Sequence, residues 1–126
     1  MKQIIYTPKA AEPIGPYSQA VLIGNTLYTS GQIAIEPSSG ELRTSNIQEE
    51  TSLVMRHLKN LLREVHMDFS NVVKCSIFIK DMNQFSQINE VYGSFFKENP
   101  PARETVEVAR LPKDVNVEIS CIAVKA

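Results

Sequence analysis

Tryptophan is missing from the 126 residues, cysteine occurs twice, and neither sign of charge predominates. Each scarcity removes a class of protein. With 13 basic against 14 acidic side chains the formal net charge is -1, so there is no general electrostatic footprint for nucleic acid or an anionic membrane, and only a local basic patch could supply one. No apolar run reaches the ~18 residues a spanning helix needs, and no positive leader precedes an apolar stretch. A cytoplasmic protein with no membrane partner is expected. Cys75 and Cys121 both alternate with apolar neighbours, which reads as buried free thiols, with a disulfide or metal pair as the minor alternative. His57 and His66 lie nine positions apart on one predicted helix, beyond the one-turn spacing that sets two ligands on a common metal. They read as structural or solvated, and no metal is expected. Repeats, low-complexity tracts and blocks of like charge are also lacking. One domain over residues 1–126 follows, large enough to bury about two-thirds of its unfolded surface.

What is present is a change of hydrophobic period along the chain. Residues 2–6 suit a short strand. Ala20–Ile23 and Thr26–Ser30 flank Gly24-Asn25, a two-residue loop fit for the positive backbone angles of a tight hairpin, and Pro37-Ser38-Ser39-Gly40 marks a second turn. From Asn46 to about His66 the period becomes helical, with Ile47, Thr51, Val54, Leu58, Leu61, Leu62 and Val65 on one stripe and Glu50, Arg56, Lys59 and Arg63 mostly off it. Asn46 with Glu49 three residues on has capping-box spacing. Residues 72–80 return to a strand, with Val73, Cys75, Ile77 and Ile79 on one face and Val72, Lys74, Ser76 and Phe78 on the other. A second helix is predicted from Asp81, capped with Gln84, carrying Phe85, Ile88, Tyr92, Phe95 and Phe96 inward until Asn99-Pro100-Pro101 stops it. The order β-β-β-α-β-α-β-β gives an α+β fold in which two helices cover one side of a mixed sheet of about six strands. The other side mixes Val72 and Phe78 with Lys74, Glu118 and Ser120, a composition suited to contact with other subunits.

The last two strands carry ionisable residues where a plain core would be apolar. Arg103, Thr105 and Glu107 share one face of the first, with Val106 and Val108 opposite. In the second, Val115, Val117, Ile119, Cys121 and Ala123 form the apolar face, and Asn116, Glu118 and Ser120 interrupt the other. Leu111-Pro112-Lys113-Asp114 is short enough to join them as a hairpin, which would place Arg103 and Glu118 on adjacent strands and open one pocket to both. A guanidinium there suits a carboxylate, since its planar fork makes two parallel hydrogen bonds. A solvated or ion-paired sheet face accounts for the same spacing.

Several strings together resemble the RidA or YjgF group of imine deaminases, also described as L-PSP endoribonucleases. They are Ile14-Gly15-Pro16-Tyr17-Ser18-Gln19, Thr29-Ser30-Gly31-Gln32-Ile33, Phe78-Ile79-Lys80-Asp81, Asn89, Pro101-Ala102-Arg103, and Val106 through Asp114. The resemblance implies a homotrimer of chorismate-mutase-like subunits with active sites in clefts between them. It implies hydrolysis of 2-iminoacids such as 2-iminopropanoate and 2-iminobutanoate to 2-ketoacids and ammonia, with no cofactor. Carried over to this chain, Arg103 would clamp the substrate carboxylate and Glu118 would direct water and exchange protons. Tyr17 would donate from its phenol, and Ser30, Gly31, Asn89 and Thr105 would line the substrate. Without the resemblance, Tyr17 reads as packing, Ser30 as an ordinary strand residue and Asn89 as a surface amide.

Thr105 stands where many members carry cysteine, and Glu104 replaces a usual small residue. The hydroxyl can hydrogen-bond but cannot act as a thiolate, so the substrate range is the property it puts in question. The segment from Glu98 to Pro101 is also shorter than in some members. Two other functions compete. One is an endoribonuclease or translation inhibitor, opposed by the acidic balance and the lack of a basic stripe interleaved with aromatics. The other is a regulatory module that binds a 2-ketoacid without turning it over.

Overall fold

The computed structural model describes residues 1–126. Its strands are β1 (Gln3–Ile5), β2 (Ala20–Ile23), β3 (Thr26–Thr29), β4 (Val72–Ile79), β5 (Ala102–Glu107) and β6 (Val117–Val124), and its helices are α1 (Ile47–Glu64) and α2 (Phe85–Gly93). The strands form one mixed sheet in the order β1-β2-β3-β6-β4-β5. Gly24 makes the β2–β3 turn with φ of +57°, while Asn25 uses its side chain to donate to the Lys125 carbonyl at 3.0 Å. A backbone bond from Lys125 to the Asn25 carbonyl at 2.8 Å closes the same corner.

The expected hairpin between the last two strands does not form. β4 lies between them, parallel to β5 and antiparallel to β6. The reason is the β4-α2-β5 unit: a strand returning after a helix pairs parallel to its predecessor, which takes one edge of β4 and leaves β6 the other. Residues 108–116 therefore cross the end of β4, tied down where Val108 donates to the Ile79 carbonyl at 2.8 Å and Lys80 to the Asn116 carbonyl at 3.0 Å.

One sheet face is covered by both helices. Asn46 caps α1 as its sequence suggests, accepting from the Glu49 amide at 3.0 Å. The whole predicted stripe is buried, and so are Glu50, Leu53, Met55 and His57, because the helix also meets the start of β6 at Asn116 and the loops around Lys9 and Ile35. His57 Nε2 donates to the Ile35 carbonyl at 2.8 Å, and burial lowers its pKa. The neutral Nε2–H form fits both facts. Against this stripe stand Cys75, Ile77 and Ile79 of β4 and Val117, Ile119, Cys121 and Ala123 of β6. Cys75 and Cys121 face each other across the two strands, both free and buried.

Three local expectations are corrected. A β-bulge between Val72 and Lys74 reverses the alternation, so Val72 is in the core and Val73 is exposed. The second helix opens with a short 3-10 turn, Met82–Gln84, in which Asp81 accepts from the Asn83 amide, and it ends at Gly93, well before the prolines. Phe95 and Phe96 leave the helix and pack edge-on around Phe69, at 5.4 and 5.3 Å between centroids. Lastly, Val115 turns away from the main core to join Ala11, Ile33, Ile35 and Leu111 in a second apolar cluster, with Phe78 and Val108 against it. That cluster covers only part of the second sheet face. Lys74, Ser76, Glu104, Val106, Tyr28 and Ile122 share the remainder, partly buried or exposed.

Candidate functional site

Residues far apart in sequence meet beside the second apolar cluster. Gln19 is 2% exposed and pins the loop before β2, accepting from the Thr7 amide at 2.8 Å and donating to the Thr7 and Ala11 carbonyls at 3.0 and 2.9 Å. The same loop is tied to the end of β3, where Ser30 Oγ donates to the Ser18 carbonyl at 2.6 Å and the Ser30 amide to the Gln19 carbonyl at 2.8 Å. Tyr17 is thereby held at the surface, its phenol oxygen accepting from the Ile14 amide at 3.3 Å. Gln32 and Ile119 exchange backbone bonds at 2.8 and 3.2 Å, which draws Gly31 onto β6.

The result is a cleft of about 300 Å³ lined by Ile14, Tyr17, Ser30, Gly31, Ile33, Pro112 and Glu118. Glu118 is its one carboxyl. It pairs across the sheet with Phe78, is half-buried, and makes no hydrogen bond or ion pair within the chain. Burial alone pushes its pKa above the ordinary carboxylate value. Gly31 is close-packed against it: a Cβ there would lie 2.6 Å from Glu118 Cδ and 2.8 Å from Cγ. Glycine is required at this position by that approach and not by backbone angle, since Gly31 lies outside the left-handed region.

Arg103 is elsewhere. β4 registers Cys75 against Arg103 and Phe78 against both Glu118 and Val106. Three positions separate Arg103 from Val106, an odd number, so Arg103 emerges on the helix side of the sheet and Glu118 on the other. The two are not brought to one pocket in a single chain. Arg103 sits on the outermost strand with its guanidinium carbon 5.5 Å from the Phe85 ring centre and 5.0 Å from that of Tyr92. Stacking holds the fork in place, and no hydrogen bond or ion pair in the chain uses it. Asn89 projects from α2 between those rings, four residues after Phe85 and three before Tyr92, and is exposed. Thr105 follows on the same face of β5, its Oγ1 buried without a partner.

The seven residues singled out from sequence thus fall into two separate groups: Tyr17, Ser30, Gly31 and Glu118 in or beside the cleft, and Asn89, Arg103 and Thr105 at the sheet edge. Sequence reasoning missed Ile14 and Pro112 as walls of the first. It also missed Phe85 and Tyr92 as the seat of Arg103, although their seven-residue spacing around Asn89 was a usable signal.

A six-stranded mixed sheet under two helices makes this an α+β subunit with a cleft of small-molecule size. A profile of the Endoribonuclease L-PSP family matches residues 7–125, and the chain belongs to that family. Human 2-iminobutanoate/2-iminopropanoate deaminase is 42% identical over 125 residues, which cover 99% of this chain and 91% of that protein. A RutC family protein of Pyrococcus abyssi is 47% identical over 98% of each chain. Among solved structures, TdcF of E. coli with bound serine superposes with a TM-score of 0.94 at 40% identity, over 98% of this chain and 99% of that one.

Proposed function

We propose that the protein hydrolyses small 2-iminoacids to 2-ketoacids and ammonia, using a site completed by a second copy of the chain. The observation that carries this reading is the Glu118 carboxyl, half-buried and unpartnered in a cleft of small-molecule size. Its raised pKa makes it a readier proton acceptor than an ordinary carboxylate, as a group that takes up and releases a proton requires. Arg103 supplies the second requirement, a preplaced and unused guanidinium for a carboxylate. Because the two lie on opposite sheet faces, their meeting requires juxtaposition of copies, and a ring of three is the assembly we infer. The uncovered sheet face with Val106, Tyr28 and Ile122 is apolar enough to be buried there.

In this scheme Arg103 of one copy clamps the substrate carboxylate and fixes the adjacent imine carbon over Glu118 of the next. Glu118 accepts a proton from water as the oxygen bonds to that carbon and the C=N pair moves to nitrogen. That proton is delivered to the nitrogen to give the tetrahedral carbinolamine, and a second transfer through Glu118, from the new hydroxyl to the nitrogen, lets the C–N bond break and ammonia leave as the carbonyl forms. Ser30 and Tyr17 lie where hydroxyl groups meet the water or the nitrogen, and Asn89 and Thr105 border the substrate side chain. Imines hydrolyse unaided, so positioning plus one acid-base group, worth ~10²–10⁴-fold, meets the demand.

The test follows 2-iminobutanoate released by a threonine dehydratase and trapped as its semicarbazone, with wild-type protein and with Arg103→Ala. Faster loss of the trapped imine with wild-type and not with the variant is expected. Unchanged decay with wild-type refutes the activity, and stabilisation by 2-ketoacids in that case identifies a binding protein.

A further inference from the structure

Glu50 is the one acidic side chain of the molecule with no exposed surface, at 0%. Nothing in the helical pattern of α1 accounts for a carboxyl there, and an unpaired one would be strongly destabilising. Both of its oxygens are hydrogen-bonded. One accepts from the side-chain amide of Asn116 at 2.7 Å, and the other accepts from the backbone amides of Asn116 at 2.7 Å and Val117 at 3.3 Å. These are the two residues that immediately precede Glu118.

On the other side of Glu118 the backbone is fixed by the paired bonds between Ile119 and Gln32. Glu118 therefore sits between two anchors, one of which is a side chain reaching across from α1. Its own carboxyl has no partner to steer it, so the backbone beneath it sets where it stands relative to Gly31. The geometry points to Glu50 as a positioning residue for Glu118: it holds the start of β6 at the height that aims the Glu118 carboxyl into the cleft. This rests on the proposed role of Glu118 in imine hydrolysis, but the placement itself can be read without substrate.

Reach and charge are separable at this site. Glu50→Gln keeps the reach, because its amide oxygen can accept both backbone bonds while its NH₂ donates to a flipped Asn116 side chain. Glu50→Asp keeps the acid but withdraws it by one methylene. The experiment compares wild-type, Glu50→Gln and Glu50→Asp for kcat and KM on 2-iminobutanoate, for melting temperature, and for titration of the Glu118 side-chain carbon by ¹³C NMR. Glu50→Asp should lose about 10- to 100-fold in kcat with little change in KM, the scale of an ångström-level misplacement, and should shift the Glu118 titration. Glu50→Gln should retain most of both. A folded Glu50→Asp with wild-type kcat and Glu118 titration overturns the inference, as does a defect that follows loss of the acid in Glu50→Gln and spares Glu50→Asp. Should Glu50→Asp not fold, loss of kcat and a displaced Glu118 titration in Glu50→Gln overturns it alone. If wild-type protein hydrolyses no imine, the activity fails separately and the NMR comparison still decides whether Glu50 positions Glu118.

Discussion

Adding one carbon to Gly31 should disable the cleft while leaving the fold intact. In Gly31→Ala the new methyl would lie 2.6 Å from Glu118 Cδ and 2.8 Å from Cγ, against about 3.5–4.0 Å for an unstrained carbon contact. The side chain of Glu118 must withdraw by about 1 Å, and it can, since its carboxyl is bonded to nothing in the chain. Forcing it off its rotamer costs about 0.5–1.5 kcal/mol. Restricting the unfolded chain at an ordinary backbone angle returns about 0.4–1 kcal/mol, so the net change in stability should stay within about 1 kcal/mol. Catalysis should suffer far more, by ~10²-fold for the displacement alone. Initial rates of imine loss, with melting curves for the same samples, give both quantities. Glu118→Ala provides the control: in that background the methyl has nothing to displace, and Gly31→Ala should add no further loss. A stable Gly31→Ala with wild-type kcat/KM, or losses that multiply in the double variant, would refute the reasoning.

Other outcomes follow from the same geometry. Burial raises the Glu118 pKa above its unfolded value, so the folded state holds the proton to higher pH, and stability from this group falls as pH rises through that window. Glu118→Gln should accordingly melt higher than wild-type at neutral pH but not below the ordinary carboxylate range, while losing activity; equal melting differences at both would contradict this. Arg103→Lys should keep the charge yet lose the two-pronged grip and the stacking on Phe85 and Tyr92, lowering kcat/KM by at least ~10-fold. If the site spans two copies, Arg103→Ala and Glu118→Ala chains unfolded together and refolded should recover about a quarter of wild-type activity in random trimers, although each alone is inactive. No recovery in verified mixed trimers would refute a site shared between copies. Leu58→Ala, fully buried beneath α1, should cost ~2–5 kcal/mol in denaturant unfolding and leave kcat unchanged in the folded fraction.

Local chemistry was readable from the chain, and non-local pairing was not. Asn46, Gly24 and the stripe through Leu58 and Leu62 declare themselves through capping, turn geometry and period, all properties of a few adjacent residues. Which strand lies beside β5 is decided by the crossover through α2, so a turn-forming Pro112-Lys113-Asp114 suggested a hairpin that the sheet does not contain. The bulge at Val73 is invisible to a strict two-residue alternation. Glu50 resembled a surface residue because its partners, Asn116 and Val117, are more than sixty positions away. Tyr17, Ser30 and Gly31 of the cleft lie in recognisable motifs, yet the separation of Arg103 from Glu118 required the register of three strands.

Cys75 and Cys121, opposite each other under the helices, give the protein an internal clock of its own opening. Burial pushes both thiols up, Cys121 to about 12, so neither offers a thiolate to a reagent while α1 and α2 cover this face. Alkylation must wait for the helices to part from this face of the sheet. The rate at which these two sulfurs become labelled therefore reports how often the helix layer opens under native conditions, without a denaturant or a substrate.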